Sequence, residues 1–385
     1  MGVKNPIQGI IDKLEIKLTP FLTWNDECIL ELYEREEQLH KYVSLRYFKK
    51  SLGDSIQEAA AERKPFSVND YSVLLNRIRQ IKEKDFEVLY DLYGGKLDKS
   101  HLELGDYTIY NFTLDKSLLN KKSVHFESQF DKVHRNGDSN PDPQNLLISV
   151  KVRAKEVFKA MELADVLISK FENIMAFIGG DLLRRKTVDI LNHAEDERIV
   201  RYALHEGTST LSLNRNAKID IDFNDDHLFC AKCGNDRIWK ISASKNPNKI
   251  ERRILNAIEW VGKGVREKDK AKALIQFTFA IEGMLQHEVD KIINPSIMSL
   301  LGDTAAFCLS DNVDGRMAIA KQIRDIYKAR SSVAHGSTSN VEDKIWKMSA
   351  QIASKLIRVF LSKEPFRRLK SPDELRNYIE RLKFQ

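Results

Sequence analysis

Ile319-Ala320-Lys321-Gln322-Ile323-Arg324-Asp325-Ile326-Tyr327-Lys328-Ala329-Arg330-Ser331-Ser332-Val333-Ala334-His335-Gly336 is the stretch on which the reading of this chain turns. Wound at roughly 100° per residue from Ile319, it places Ile323, Ile326 and Val333 within about 50° of the origin. Arg330 falls about 20° away, so a cation sits in the middle of a stripe that should face a core. His335 follows five residues later. Gly336 stands where a helix C-terminus accepts a left-handed residue. The spacing therefore predicts a long amphipathic helix that delivers a guanidinium and an imidazole together at its end.

A structural reading of that pair is an ion-paired core arginine and a histidine placed against the negative end of the helix dipole. The context upstream favours a functional one. Lys272 to Ile293 is expected to form a second amphipathic helix, with Leu274, Phe277, Ile281, Leu285 and Ile292 along one side. Glu282 lies on the flank of that stripe, about 80° from Leu274.

Three segments carry a family resemblance: Ala273-Leu274-Ile275 through Phe279-Ala280-Ile281-Glu282-Gly283-Met284-Leu285; Ser299-Leu300-Leu301 with Ala305-Ala306-Phe307; and Ile326 to Gly336. Together they resemble the HEPN domain in its Apea-like, anti-phage defence branch, over roughly residues 251 to 365. An R-x4-H alone is a weak signal. Its place on the second of two such helices, before Gly and after a helix bearing an Ile-Glu pair, strengthens it. Ser331 stands where many members of the family carry Asn, Asp or His. The resemblance implies a C-terminal all-α HEPN bundle that pairs about a twofold, with Arg330 and His335 catalytic and Glu282 able to orient either. Ser331 and Tyr327 would be supporting residues, Tyr327 chiefly through packing. No cofactor is implied.

The chemistry can be argued from the side chains as well. Cleaving RNA without a metal requires removing a proton from a 2′-hydroxyl and stabilising a pentacovalent phosphate. Imidazole exchanges protons near neutral pH. A guanidinium fork matches the equatorial oxygens of the phosphorane. An arginine facing inward also makes sense if it lines a wet, anion-binding groove, because an unpaired buried guanidinium is costly. The expected function is thus a metal-independent endoribonuclease acting on RNA as a homodimer, an abortive-infection toxin whose front two thirds answer to a phage-derived activator or a cognate inhibitor. The alternative, from another class, is a catalytically silent HEPN dimer serving as an RNA-binding or scaffold module.

The bulk composition fits this. The 385 residues are 42% hydrophobic and 31% charged, enough for two or three domains with cores of their own. Residues 251–385 hold 24 Lys and Arg against 17 Asp and Glu, while the rest holds 38 against 39. The basic excess thus lies with the R-x4-H segment, as a polyanionic partner would require. The N-terminus shows no apolar signal core, Pro6 stands where a myristoylation motif wants Ser or Thr, and no run approaches the roughly 18 apolar residues of a membrane span. Four cysteines, Cys28, Cys230, Cys233 and Cys308, suit a reducing compartment. The expectation is a cytoplasmic protein without a membrane partner.

Along the chain, the expected class is mainly α with a mixed α+β middle region. Residues 1–140 should be a mostly helical regulatory region, 141–250 the mixed region, and 251–385 the ribonuclease domain. Residues 21 to about 95 read as helical, broken at Lys64-Pro65 and resuming from Asn69 to Tyr93. Tyr107, Ile109 and Phe112 suggest a strand, and Asn136 to Pro143 a turn-rich boundary. Ile148, Val150 and Val152 alternate as a strand before a helix from Ala154 to Phe177. Leu211 to Leu213 and Ile219 to Phe223 alternate likewise. Gly262-Lys263-Gly264 lacks the spacing of a phosphate loop and reads as a flexible inter-helix segment. Ser371-Pro372-Asp373-Glu374 predicts a capped final helix. Trp346, Ile352, Leu356 and Phe360 form the buried stripe of the helix before it.

Cys230-Ala231-Lys232-Cys233-Gly234, with His227 upstream, has the spacing of half a zinc ribbon. With no second knuckle, the favoured reading is two free thiols in a turn; zinc held by Cys230, Cys233 and His227 is the alternative.

Overall fold

Asn25, Ser44 and Ser67 each precede a helix and accept a backbone N–H through the side-chain oxygen, satisfying donors that a helix start leaves open. Ser67 and Asp70 complete a reciprocal capping box. In the computed structural model these caps open α2 (Asp26–Arg35), α4 (Leu45–Ala61) and α5 (Val68–Gln80), which pack with α1 (Pro6–Ile11) and α3 (Glu37–Tyr42). Leu14, Ile29, Leu32, Phe48, Leu52 and Tyr71 are fully or almost fully buried in their shared core. The expected break at Lys64-Pro65 separates α4 from α5. The structure describes residues 6–14, 17–18, 22–23, 25–93, 95–123, 125–128, 130, 146–179, 188, 190–191, 197–205, 208–215, 221–286, 297–336 and 340–384.

The helix expected from Asn69 to Tyr93 stops at Gln80, and Lys84–Leu92 is a strand, β1. Its apolar residues face two ways. Phe86, Val88, Tyr90 and Leu92 enter the main core, whereas Leu89 joins Tyr110, Phe112 and Leu147 in a cluster on the other face. Phe86, Val88, Tyr90 and Leu92 alternate with Asp85, Glu87 and Asp91 as a strand requires, and Leu89, buried on the second face, is the one break in the pattern.

β1 is central in a six-stranded antiparallel sheet with β2 (His101–Leu104), β3 (Tyr107–Asn111), β4 (Leu146–Ala154), β5 (Glu197–His205) and β6 (Thr208–Arg215), ordered β2-β3-β4-β1-β5-β6. Its register with β4 runs from Lys84 opposite Ala154 to Leu92 opposite Leu146. The strand expected at Tyr107 ends one residue before Phe112, which opens α6 (Phe112–Lys122) behind Asn111 as cap. Of the alternating Ile219–Phe223 segment, Ile221–Asp222 pairs in parallel with Gly95–Lys96. The Asn136–Pro143 stretch lies outside the described residues, and the sheet takes strands from both sides of it. The hydrophobic core divides instead between Ile78 and Phe86.

α7 (Val157–Gly179) joins the sheet to the C-terminal helices. It lies along β4 and β1 and packs its other side on α9 (Lys249–Arg266), which follows α8 (Asn235–Ser242). Sheet and helices therefore share one core. Gly262 and Gly264 are buried in the last turns of α9, where they were expected to form a flexible connection. A Cβ at Gly262 would overlap the backbone of Asn173 on α7, and one at Gly264 the ring of Phe277. The glycines permit close helix crossing. Beside them the fully buried Glu172 carboxylate faces Arg266 at 3.3 Å and accepts the Leu191 N–H at 2.7 Å.

The remaining helices are α10 (Lys270–Leu285), α11 (Ile297–Leu309), α12 (Val313–Ala334), α13 (Asp343–Ser362) and α14 (Pro372–Lys383). The chain is thus mainly helical, with an antiparallel sheet in its middle region and helices at its C-terminus. α10 packs on α9 and α13, and α12 on α11. Trp346, Ile352, Leu356 and Phe360 are buried along α13, as their spacing predicts. Each such side chain taken from water contributes about 1.5–3 kcal/mol. Ser371 caps α14, but Glu374 returns to the Lys370 N–H at 2.8 Å instead of closing a box with Ser371. Among the described residues no helix is long and apolar enough to cross a membrane.

Candidate active site on the C-terminal bundle

The apolar stripe of α12 is seated as its period predicts. Ile323 and Ile326 are fully buried, and Ile319, Tyr327 and Val333 are partly buried against the same core. Arg330 is carried into that stripe and half-buried. Its guanidinium carbon stands 6.0 Å from the centroid of the Phe279 ring on α10, within cation–π range. Phe279 in turn meets Trp260 edge-on, with ring centroids 5.0 Å apart.

Two helices supply this cluster through neighbouring positions on their faces. Phe279 and Glu282 lie three apart on α10, and Tyr327 and Arg330 three apart on α12. Burial pushes the Tyr327 hydroxyl well above the ordinary tyrosine value, and the adjacent Glu282 carboxylate pushes it further, so the phenol stays protonated. That buried hydroxyl makes no hydrogen bond of normal geometry among the described residues. The Arg330 Nε is likewise buried without a hydrogen-bond partner, and no described carboxylate lies within ion-pair distance of the guanidinium.

His335 caps the C-terminus of α12. Its backbone N–H bonds the Ser331 carbonyl at 3.0 Å, and Gly336 turns the chain away with φ +70°, the left-handed conformation expected there. The ring is exposed, and so is Ser331, while Ser332 Oγ donates to the Lys328 carbonyl at 3.1 Å.

The structure therefore brings Arg330, Tyr327 and Glu282 together and sets His335 at the open end of the same helix. Glu282 engages Tyr327; no ion pair joins it to Arg330. α10 ends at Leu285, and residues 287–293 of the longer helix expected there lie outside the described residues. Phe279 stands in the segment that carries the resemblance, but its place beside Arg330 is not legible there, because one aromatic ring on a core helix has no distinguishing signal. Its three-residue offset from Glu282 was the available clue.

Chemically, the cluster presents a cation without a described counter-charge, and an accessible imidazole follows five residues on at the end of the same helix. A half-buried guanidinium in this state favours an anionic ligand, which would recover part of its desolvation cost. His227, Cys230 and Cys233 lie elsewhere, before α8, with ligand atoms all within 4.8 Å of one another. Compared with family models, with curated proteins and with solved structures, the chain matches none of them.

Proposed function

We propose that this chain is a metal-independent endoribonuclease of the HEPN type. The observation that carries the reading is the Arg330 guanidinium, drawn into the α12 stripe with a buried Nε and no described carboxylate, with an exposed His335 five residues on at the end of the same helix. In this reading His335 removes the proton from a ribose 2′-hydroxyl. The freed oxygen attacks the adjacent phosphorus, the bond to the departing 5′-oxygen breaks, and that oxygen takes a proton from water. Arg330 holds the charge on the non-bridging oxygens as it grows, a contribution typical of preorganised electrostatic groups. The products are a 2′,3′-cyclic phosphate and a 5′-hydroxyl. Phe279 lies beneath the guanidinium, and Tyr327 and Glu282 line the cluster beside it.

Exposed apolar side chains support a twofold pairing through the same bundle. Met298 on α11 and Val313 and Met317 on α12 are 42%, 67% and 67% exposed. The reading also has a second copy bring its own Arg330 and His335 to a composite cleft; the exposed Met317 lies about 20 Å along α12 from Arg330, toward the other end of the helix. The reading extends to an RNA substrate in the cytoplasm, an anti-phage role, and an activator or inhibitor acting through the front region. End-group analysis of total RNA treated with wild-type and His335→Ala protein tests it: cyclic phosphate ends should appear with the first and not the second.

The second reading, a silent RNA-binding or scaffold dimer, draws on Glu282 engaging Tyr327 instead of His335. It predicts RNA retention by both proteins and cleavage by neither.

A further inference from the structure

His227, Cys230 and Cys233 are held in place by hydrogen bonds to their own backbone. Asp225 Oδ1 accepts the His227 N–H at 2.8 Å and starts a 3₁₀ turn over Asp226–Phe229. The His227 carbonyl accepts the Cys230 N–H at 3.1 Å and Asn235 Nδ2 at 2.7 Å. The Cys230 carbonyl accepts the Asn235 N–H at 3.0 Å, and the Ala231 carbonyl the Gly234 N–H at 3.1 Å. Arg358 of α13 donates to the Cys233 carbonyl at 2.8 Å. Gly234 adopts φ +76° and lies so close to α13 that a Cβ would overlap Leu361. The braced turn and the left-handed glycine after the second cysteine bring the three ligand atoms to one place.

The three ligand atoms all lie within 4.8 Å of one another, with His227 exposed and both cysteines partly buried. Zinc binds sulfur at about 2.3 Å and imidazole nitrogen at about 2.0–2.1 Å in tetrahedral geometry, which places neighbouring ligand atoms roughly 3.5–3.8 Å apart. The present separations, all within 4.8 Å, exceed these by no more than about 1 Å.

We propose that His227, Cys230 and Cys233 bind one zinc ion, with water in the fourth position, and that the ion staples the turn before α8 closed where α13 packs on it. Two thiolates and an imidazole favour zinc over magnesium or calcium, which take oxygen ligands. Binding replaces the two thiol protons, which leave to solvent, so affinity falls as pH falls. The staple is separate from the Arg330 cluster, and its test does not depend on RNA cleavage.

The test uses the full chain, purified in reducing buffer without chelator. Zinc is counted per chain, and the stripped protein is titrated with Co²⁺, whose thiolate charge-transfer and tetrahedral visible bands report the ligands directly. The expected result is one equivalent of metal, with the charge-transfer band lost in Cys230→Ser and Cys233→Ser. His227→Gln should weaken Co²⁺ binding at least about tenfold, and stripping should lower the Tm of the wild type. Far-UV circular dichroism checks that the variants stay folded. If a cysteine variant unfolds, His227→Gln decides alone, since the imidazole is exposed and its loss leaves the turn's hydrogen bonds in place. No bound zinc together with no Co²⁺ band, a band that persists in both cysteine variants, or unchanged Co²⁺ affinity in His227→Gln would overturn the assignment.

Discussion

Replacing Gly262 and Gly283 by alanine should move stability in opposite directions, although both are helical glycines in adjacent helices. Helix propensity alone favours alanine at each by about 1 kcal/mol. At Gly283, exposed near the end of α10, a new Cβ meets nothing within 4 Å, so a gain of about 0.5–1 kcal/mol is expected. At Gly262 the new atom meets the carbonyl oxygen and Cα of Asn173. Backbone cannot rotate aside, so α7 must shift, and α7 is also packed on the sheet. Overpacking of a tight core costs about 1–3 kcal/mol. With rigid backbone on the far side the upper part of that range applies, leaving a net loss of about 2 kcal/mol. Thermal unfolding by circular dichroism reads both: the apparent Tm should drop by several degrees for Gly262→Ala and rise slightly for Gly283→Ala. A Gly262→Ala protein as stable as wild type would refute the close helix crossing.

Tyr327→Phe removes a buried hydroxyl that makes no regular hydrogen bond; urea unfolding should show a change within about 1 kcal/mol, in either direction. Glu172→Ala takes away the carboxylate facing Arg266 in the core, and should cost about 3–5 kcal/mol in the same assay. Burial pushes the Glu87 carboxyl up, but hydrogen bonds and charge from Lys122, with Ser149 and Tyr110, outweigh it and hold Glu87 below its ordinary value. Its stabilising contribution is therefore complete above the unfolded glutamate value of about 4.3 and is lost as pH falls through the lower folded value. Lys122→Met should shift that acid loss to higher pH in unfolding curves measured from pH 3 to 7.

The helical ends of the molecule were legible because their signals are local. The break at Lys64-Pro65, the cap at Ser371 and the α12 stripe ending at His335-Gly336 all follow from a few neighbouring residues. β1 was missed although Phe86, Val88, Tyr90 and Leu92 alternate with Glu87 and Asp91: Leu89 breaks the period, and partners 54 to 117 residues away fix the segment as a strand. Gly262 and Gly264 looked like a hinge because helix contacts made by an absent side chain leave no mark in sequence. Of the candidate site, Arg330 and His335 could be placed by period alone. The pairing of Glu282 with Tyr327 and the Phe279 shelf depend on how α10 meets α12. For His227, Cys230 and Cys233 the spacing was visible, but their convergence and the hydrogen-bonded frame that presents them were not.

The most direct measurement of the central proposal is cleavage of an end-labelled RNA in magnesium-free buffer with chelator, the zinc content of the protein being counted before and after. A second substrate carries 2′-deoxyribose at the mapped cleavage position. The account predicts a 2′,3′-cyclic phosphate product from the first substrate and none from the second. It predicts a rate loss of about 10²–10³ in Arg330→Ala and about 10²–10⁴ in His335→Ala. Cleavage of the deoxy substrate at the same position, or undiminished rates in both variants, would contradict it.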